Sequence, residues 1–166
     1  MSITSLGGVL KIFGGSEPSA EEQAQLAKEV MLLTLARATA ADTNIKQIEV
    51  EKVQAVLKAH TGEDISAADV RVAANSRIYE SAPLEKYLGS SAKKLSDDDR
   101  VDIVQALAEV INADGRISSR EIDFFNHCTT ALNLTPAQLM GLRAADRRCR
   151  TIWSSLRLAD AMTREL

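Results

Sequence analysis

The stretch Ile103-Val-Gln-Ala-Leu-Ala-Glu-Val-Ile-Asn-Ala-Asp-Gly-Arg-Ile-Ser-Ser-Arg-Glu121 decides how this chain folds. Val104, Leu107, Ala108 and Ile111 recur at three- and four-residue intervals, the period of a helix with one apolar side. Asp114-Gly115 breaks that helix, and Ser118-Ser-Arg-Glu121 has the spacing of a capping box that opens the next one. The whole reads as helix, loop, helix. Working outward, Met31-Leu-Leu-Thr-Leu-Ala-Arg-Ala-Thr-Ala-Ala-Asp-Thr-Asn-Ile-Lys-Gln-Ile-Glu49 follows the same plan. Laying residues 31–53 over 103–125 without gaps pairs Met31 with Ile103, Leu32 with Val104, Leu35 with Leu107 and Ala36 with Ala108. It also pairs Asp42 with Asp114, Ile45 with Ile117 and Glu49 with Glu121. Agreement of this kind at one offset marks an internal repeat. With three residues removed, Ile65–Val70 falls on Leu134–Leu139, which predicts three helices in each half.

The rest of the chain fits an all-α domain over residues 1–166. Ile3, Leu6, Leu10 and Phe13 predict a short amphipathic helix in 1–15 that docks on the domain or anchors it weakly to a membrane or partner. The first repeat spans 19–88. Ser19-Ala-Glu-Glu22 caps a long apolar helix to about Ala41, a second helix covers about Gln47 to His60, and a third runs from Ser66 to about Ser81. Leu84 to Leu88 reads as one or two further turns before Gly89-Ser-Ser91, taken as the boundary between halves. The second repeat spans 95–166, with helix starts at Ser96, Ser118 and Thr135-Pro136. Two copies of one unit are expected to pair about a pseudo-two-fold axis, with the two long apolar helices side by side at the centre.

Composition bounds the function. Of 166 residues 45% are hydrophobic, 26% charged and 4% aromatic, and the formal net charge is −3, so the molecule as a whole is no electrostatic glove for nucleic acid. Arg143, Arg147, Arg148, Arg150, Arg157 and Arg164 nevertheless gather near the C-terminus, against Asp146, Asp160 and Glu165. Such a segment suits a solvated face or an acidic partner. Two cysteines, Cys128 and Cys149, imply a reduced, cytoplasmic protein, and neither a secretory leader nor a membrane span is expected.

Asn112-Ala-Asp114-Gly115 suggests the second half of a calcium-binding EF-hand loop, but Val110 would occupy the first ligand position, and Ala38, Ala40 and Thr43 would spoil the first copy. The structural reading is that Asp42 and Asp114 accept turn amides, Ile45 and Ile117 plug the loops onto the core, and Glu49 and Glu121 sit in helix first turns where the dipole favours them. The chemical reading leaves Asp114, Glu121, Asp42 and Glu49 as carboxylates for a divalent cation or a basic partner. Adjacent His127 and Cys128 point about 100° apart on a helix and form no nucleophile–base pair; no phosphate loop or nucleophile elbow is present, so no enzyme is expected.

These residues carry a family resemblance. Asn112-Ala-Asp-Gly-Arg-Ile-Ser-Ser-Arg-Glu121, duplicated more crudely at Ala41-Asp-Thr-Asn-Ile-Lys-Gln-Ile-Glu49, resembles the TerB-like family: the tellurite-resistance TerB proteins and the N-terminal domain of a membrane-anchored DnaJ-type co-chaperone. The resemblance extends over about residues 20–160. It implies a bacterial, non-enzymatic domain of two three-helix repeats, associated with resistance to tellurite and other chemical stress and working through protein partners at the inner membrane face. By position, the family's candidate metal ligands are Asp114 and Glu121, with Asp42 and Glu49 as counterparts. Thr43 and Lys46 in the first copy depart from the pattern, and without a His-Pro-Asp tripeptide the chain carries no J domain. The alternative reading is a helical scaffold or adaptor that binds a protein partner with neither metal nor tellurite involved.

Overall fold

The computed structural model describes residues 18–39, 47–75, 84–114 and 117–139. They form helices α1 (Ala20–Thr39), α2 (Gln47–Thr61), α3 (Ala67–Ala74), α4 (Leu84–Ala92) and α5 (Asp97–Ile111), a 3-10 turn (Asn112–Asp114), and α6 (Ser119–Ala131). A further helical turn begins at 136. There is no strand among the described residues, in keeping with an all-α chain. The expected N-terminal helix, the loop with Asp42 and Ile45, the segment around Ile78 and the Arg-rich stretch from 143 lie outside the described residues.

The helix starts follow from side-chain chemistry. The first amides of a helix have no partner in the preceding turn, and a Ser or Thr hydroxyl with an acid or amide three residues on supplies one. Ser19 and Glu22 exchange such bonds at 2.8 and 3.3 Å. Ser96 with Asp99 and Ser118 with Glu121 form reciprocal boxes, Ser66 caps α3 through the amide of Asp69, and Thr135 with Gln138 repeats the pattern. Gly62, at φ 72°, turns the chain after α2, where a Cβ would be strained.

Two boundaries differ from expectation. Gly89-Ser-Ser91 is not a break after one or two helical turns; it lies inside α4. The Ser90 and Ser91 hydroxyls bond back to the carbonyls of Lys86 and Tyr87, each at 2.9 Å, which satisfies them within the helix. A Cβ at Gly89 would meet the Ala131 carbonyl of α6 at 3.7 Å, an ordinary contact. The third helix also stops at Ala74 rather than near Ser81, because Asn75 caps it, its side-chain amide donating to the Arg71 carbonyl at 2.9 Å.

The core forms around α1, which packs on α5, α3 and α2, while α5 also packs on α2 and α6, and α4 on α6. Leu26, Val30, Met31, Leu32, Leu33, Leu35 and Ala36 are all buried, so nearly every side of α1 faces protein in its second half. Thr34 and Thr39 enter that environment by donating their hydroxyls to the carbonyls of Val30 and Ala36. Polar side chains reach between elements to finish helix ends. Arg37 of α1 donates to the Ala74 carbonyl at the end of α3, and Arg100 of α5 to the Leu132 carbonyl just past α6. No helix among the described residues is long and apolar enough to cross a membrane.

The nearly buried His60, in the last turn of α2, joins that helix to α5. Its Nδ1 lies 2.7 Å from Asp102 and its Nε2 3.4 Å from Glu109. The Asp102 hydrogen bond raises the imidazole above its ordinary value, against the opposing effect of burial. A raised folded-state value means that the pair's stabilisation is fully present below the unfolded value of 6.5 and is lost as pH rises through the higher folded value. Because Asp102 is half-exposed, the expected contribution is only about 1 kcal/mol. Asp102→Asn should flatten this part of the pH dependence, measured as urea midpoints from about pH 5 to 9.

Candidate functional site

Four helix ends meet around a small cleft of about 50 Å3. It is lined by Ala38 and Thr39 from the end of α1, Glu49 and Lys52 from the start of α2, Val110 and Ile111 from the end of α5, and Glu121 from the start of α6. The convergence follows from the packing. With α1 against α5 and α2 against α5, the last turns of α1 and α5 and the first turns of α2 and α6 lie around one cleft. Ala38 and Val110, Thr39 and Ile111, and Glu49 and Glu121 pair at the offset that aligns residues 31–53 with 103–125. Lys52 alone breaks this correspondence, for its counterpart is Phe124, which packs against the core.

Glu49 and Glu121, expected from their sequence positions to play matching parts, are thus brought together. Both are half-buried, and both lie in helix first turns, where the backbone dipole favours a carboxylate. Glu121 is partly committed: its Oε2 accepts from the Ser118 amide at 2.7 Å and the Ser118 hydroxyl at 2.8 Å. Ile117 packs against the core, as a plug for the loop should. Asp114 closes the 3-10 turn; its side chain, like the whole of Asp42, lies outside the described residues.

The donor set decides whether a divalent cation fits between the two glutamates. Calcium takes six to eight oxygens, and magnesium is bound through carboxylates and retained water in strict octahedral geometry. Among its described lining residues the cleft provides two carboxylates, one already serving as a helix cap. No group of three or more His, Cys, Asp or Glu side chains suited to a metal occurs among the described residues. The described residues of the cleft do not fit such an ion.

Sequence reasoning missed Lys52, although its signal was present: residues three apart on a helix share a face, so Lys52 accompanies Glu49 wherever α2 takes it. Cys128, expected in the core, is buried there, and burial pushes its thiol up to about 12, with Glu85 adding to the effect. His127 is exposed and lies 3.7 Å from Glu85.

Comparison with curated proteins and with solved structures gives no match. A family model described as tellurite resistance protein TerB matches residues 28–144, from α1 past α6 and with every helix end that lines the cleft. By that match the chain belongs to the TerB family.

Proposed function

We propose that this chain is a non-enzymatic domain that supports bacterial resistance to tellurite and related chemical stress by binding a protein partner, with the face around Glu49 and Glu121 as the contact. The observation that carries this reading is the meeting of the two equivalent carboxylates in one cleft. At about 50 Å3 the cleft is far below the several hundred Å3 that enclose an organic substrate. Ile48, 60% exposed, stands in the same first turn as Glu49, so the helix end that brings Glu49 to the cleft also exposes an apolar side chain, and protein contacts combine both kinds of group. Pairing of the cleft's walls at the repeat offset supports two three-helix repeats related by a pseudo-two-fold axis that passes near it. The setting that goes with this function is the cytoplasm, at or near the inner membrane face.

Isosteric variants separate function from folding here, because glutamine serves as well as glutamate in a capping box. In a strain lacking the gene, the wild-type protein should restore growth on tellurite. The double variant E49Q/E121Q should fail to do so while keeping the helical circular dichroism and losing only about 1–2 kcal/mol of stability, the loss of two charge–dipole interactions. Unchanged tellurite tolerance on deletion, or full complementation by the double variant, would overturn the proposal. The adaptor reading would gain if tolerance is unchanged while partner capture depends on residues 1–15 or on the Arg143–Arg164 segment.

A further inference from the structure

We infer that His60 works as a proton-operated catch, fastening the last turn of α2 to α5 as an imidazolium and releasing that turn when the ring loses its Nε2 proton. The geometry calls for the charged ring. Nδ1 lies 2.7 Å from Oδ1 of Asp102 and Nε2 3.4 Å from Oε2 of Glu109, so a carboxylate stands at each ring nitrogen. A neutral imidazole has one N–H and would turn a lone pair toward one of them; only the imidazolium presents a proton to both. Asp102 and Glu109 are seven residues apart, on one side of α5, and the ring bridges the two turns between them. The imidazole is only 11% exposed, so water does not readily take the place of either carboxylate. When the proton leaves, the closer Nδ1 contact keeps its hydrogen bond. Nε2 then turns a lone pair to Glu109, and attraction becomes repulsion.

The catch holds a stretch with little else to fix it. Leu57 is the last side chain of α2 in the core and Ile65 the next along the chain, while Lys58, Ala59 and Gly62 between them are exposed. The other charged groups of α2 and of the helices packed on it are engaged elsewhere. Lys58 pairs with Asp64, Lys28 of α1 with Glu63, and Arg37 of α1 donates to the Ala74 carbonyl. On α3, Asp69 accepts from the Ser66 hydroxyl and Arg71 donates to Gln47. Glu29 of α1 and the exposed Asp98, one turn before Asp102, form no ion pair with the ring among the described residues. Asp102 and Glu109 are thus the charges that act on His60, and both favour its protonated form. The catch is therefore closed below 6.5 and loosens as pH rises through the higher folded-state value.

The test follows the full chain by the nitrogen-15 resonances of its imidazoles and by amide hydrogen exchange, both from about pH 6 to about 8.5. The signals lost in H60Q assign His60. Its ring should carry both protons at the acid end and the Nδ1 proton alone at the alkaline end. Protection of the amides of residues 58–62, corrected for the intrinsic pH dependence of exchange, should fall about fivefold in step with that titration, the effect of losing one partly exposed ion pair. In H60Q their protection should be low at both ends of the range. E109Q should lower the midpoint of the His60 titration, and D102N should lower it further, since Asp102 contributes most. A His60 that is neutral at about pH 6, or that keeps its proton on Nε2 at the alkaline end, overturns the inference. So does a fall at residues 58–62 that is as large in H60Q as in the wild type. A loss of protection in H60Q spread equally over residues 58–62 and 104–107 also overturns it, because His60 would then support the whole domain and not one turn.

Discussion

Leu35→Ala and Leu107→Ala are each expected to lower the unfolding free energy by about 2–5 kcal/mol. Both leucines are fully buried, and they stand at equivalent positions on α1 and α5, the two helices that pack together at the centre. Truncation removes the transfer free energy of the lost methyl-bearing carbons, and it leaves a cavity that two long helices, each held by further neighbours, cannot close. Against a total stability of about 5–15 kcal/mol, one such loss is a large fraction of what a domain of this size possesses. Urea denaturation should show a lower midpoint with an unchanged slope. Val72→Ala, at a residue 58% exposed on α3, is the control and should stay within about 0.5 kcal/mol. A loss below about 1 kcal/mol at both leucines would show that the α1–α5 seam is not the principal core.

Glu29→Gln is expected to stabilise the protein, and increasingly so as pH rises. Glu29 lies on the buried side of α1 at 7% exposure, and its Oε1 has no hydrogen-bond partner among the described residues. Burial pushes its carboxyl from 4.5 up to about 7. A folded-state value above the unfolded one means that the native protein binds the proton more tightly between those two pH values. Wild-type stability therefore falls as pH rises from 4.5 to about 7 and is level beyond. A displacement of that size corresponds to about 3 kcal/mol. The buried glutamine amide has its own desolvation cost, so the net gain at pH 8 should be about 2 kcal/mol, with little gain at pH 4. Denaturation midpoints of both proteins across this range decide it, and a gain independent of pH would mean that the charge is not the cause. His60 also favours the acid side, so the double variant Glu29→Gln/Asp102→Asn should have the flattest pH profile.

Much of this fold was legible in the sequence because its helices announce their own beginnings. The Ser19, Ser66, Ser96, Ser118 and Thr135 caps are local, and their partners lie three residues away. The apolar positions of α1 and α5 were legible for the same reason, since helical periodicity is local too. Gly89-Ser-Ser91 misled because serine breaks helices only where nothing else satisfies it; the hydroxyl bonds to the Lys86 and Tyr87 carbonyls make this run acceptable inside α4. At the candidate site, the meeting of Glu49 with Glu121 was implicit in the repeat. The His60–Asp102–Glu109 tie was not, because those residues are far apart in the chain and no periodicity connects them.

Lys52 and Phe124 occupy matching places in the sequence alignment of the two halves yet meet different surroundings. Phe124 still anchors its helix to the interior, whereas Lys52 stands at the cleft with a charge its counterpart lacks. Two positions that pair when residues 31–53 are laid over 103–125 thus serve differently in the folded chain, one as packing and the other as cleft wall, so a substitution at either is to be judged by its own surroundings and not by its counterpart's.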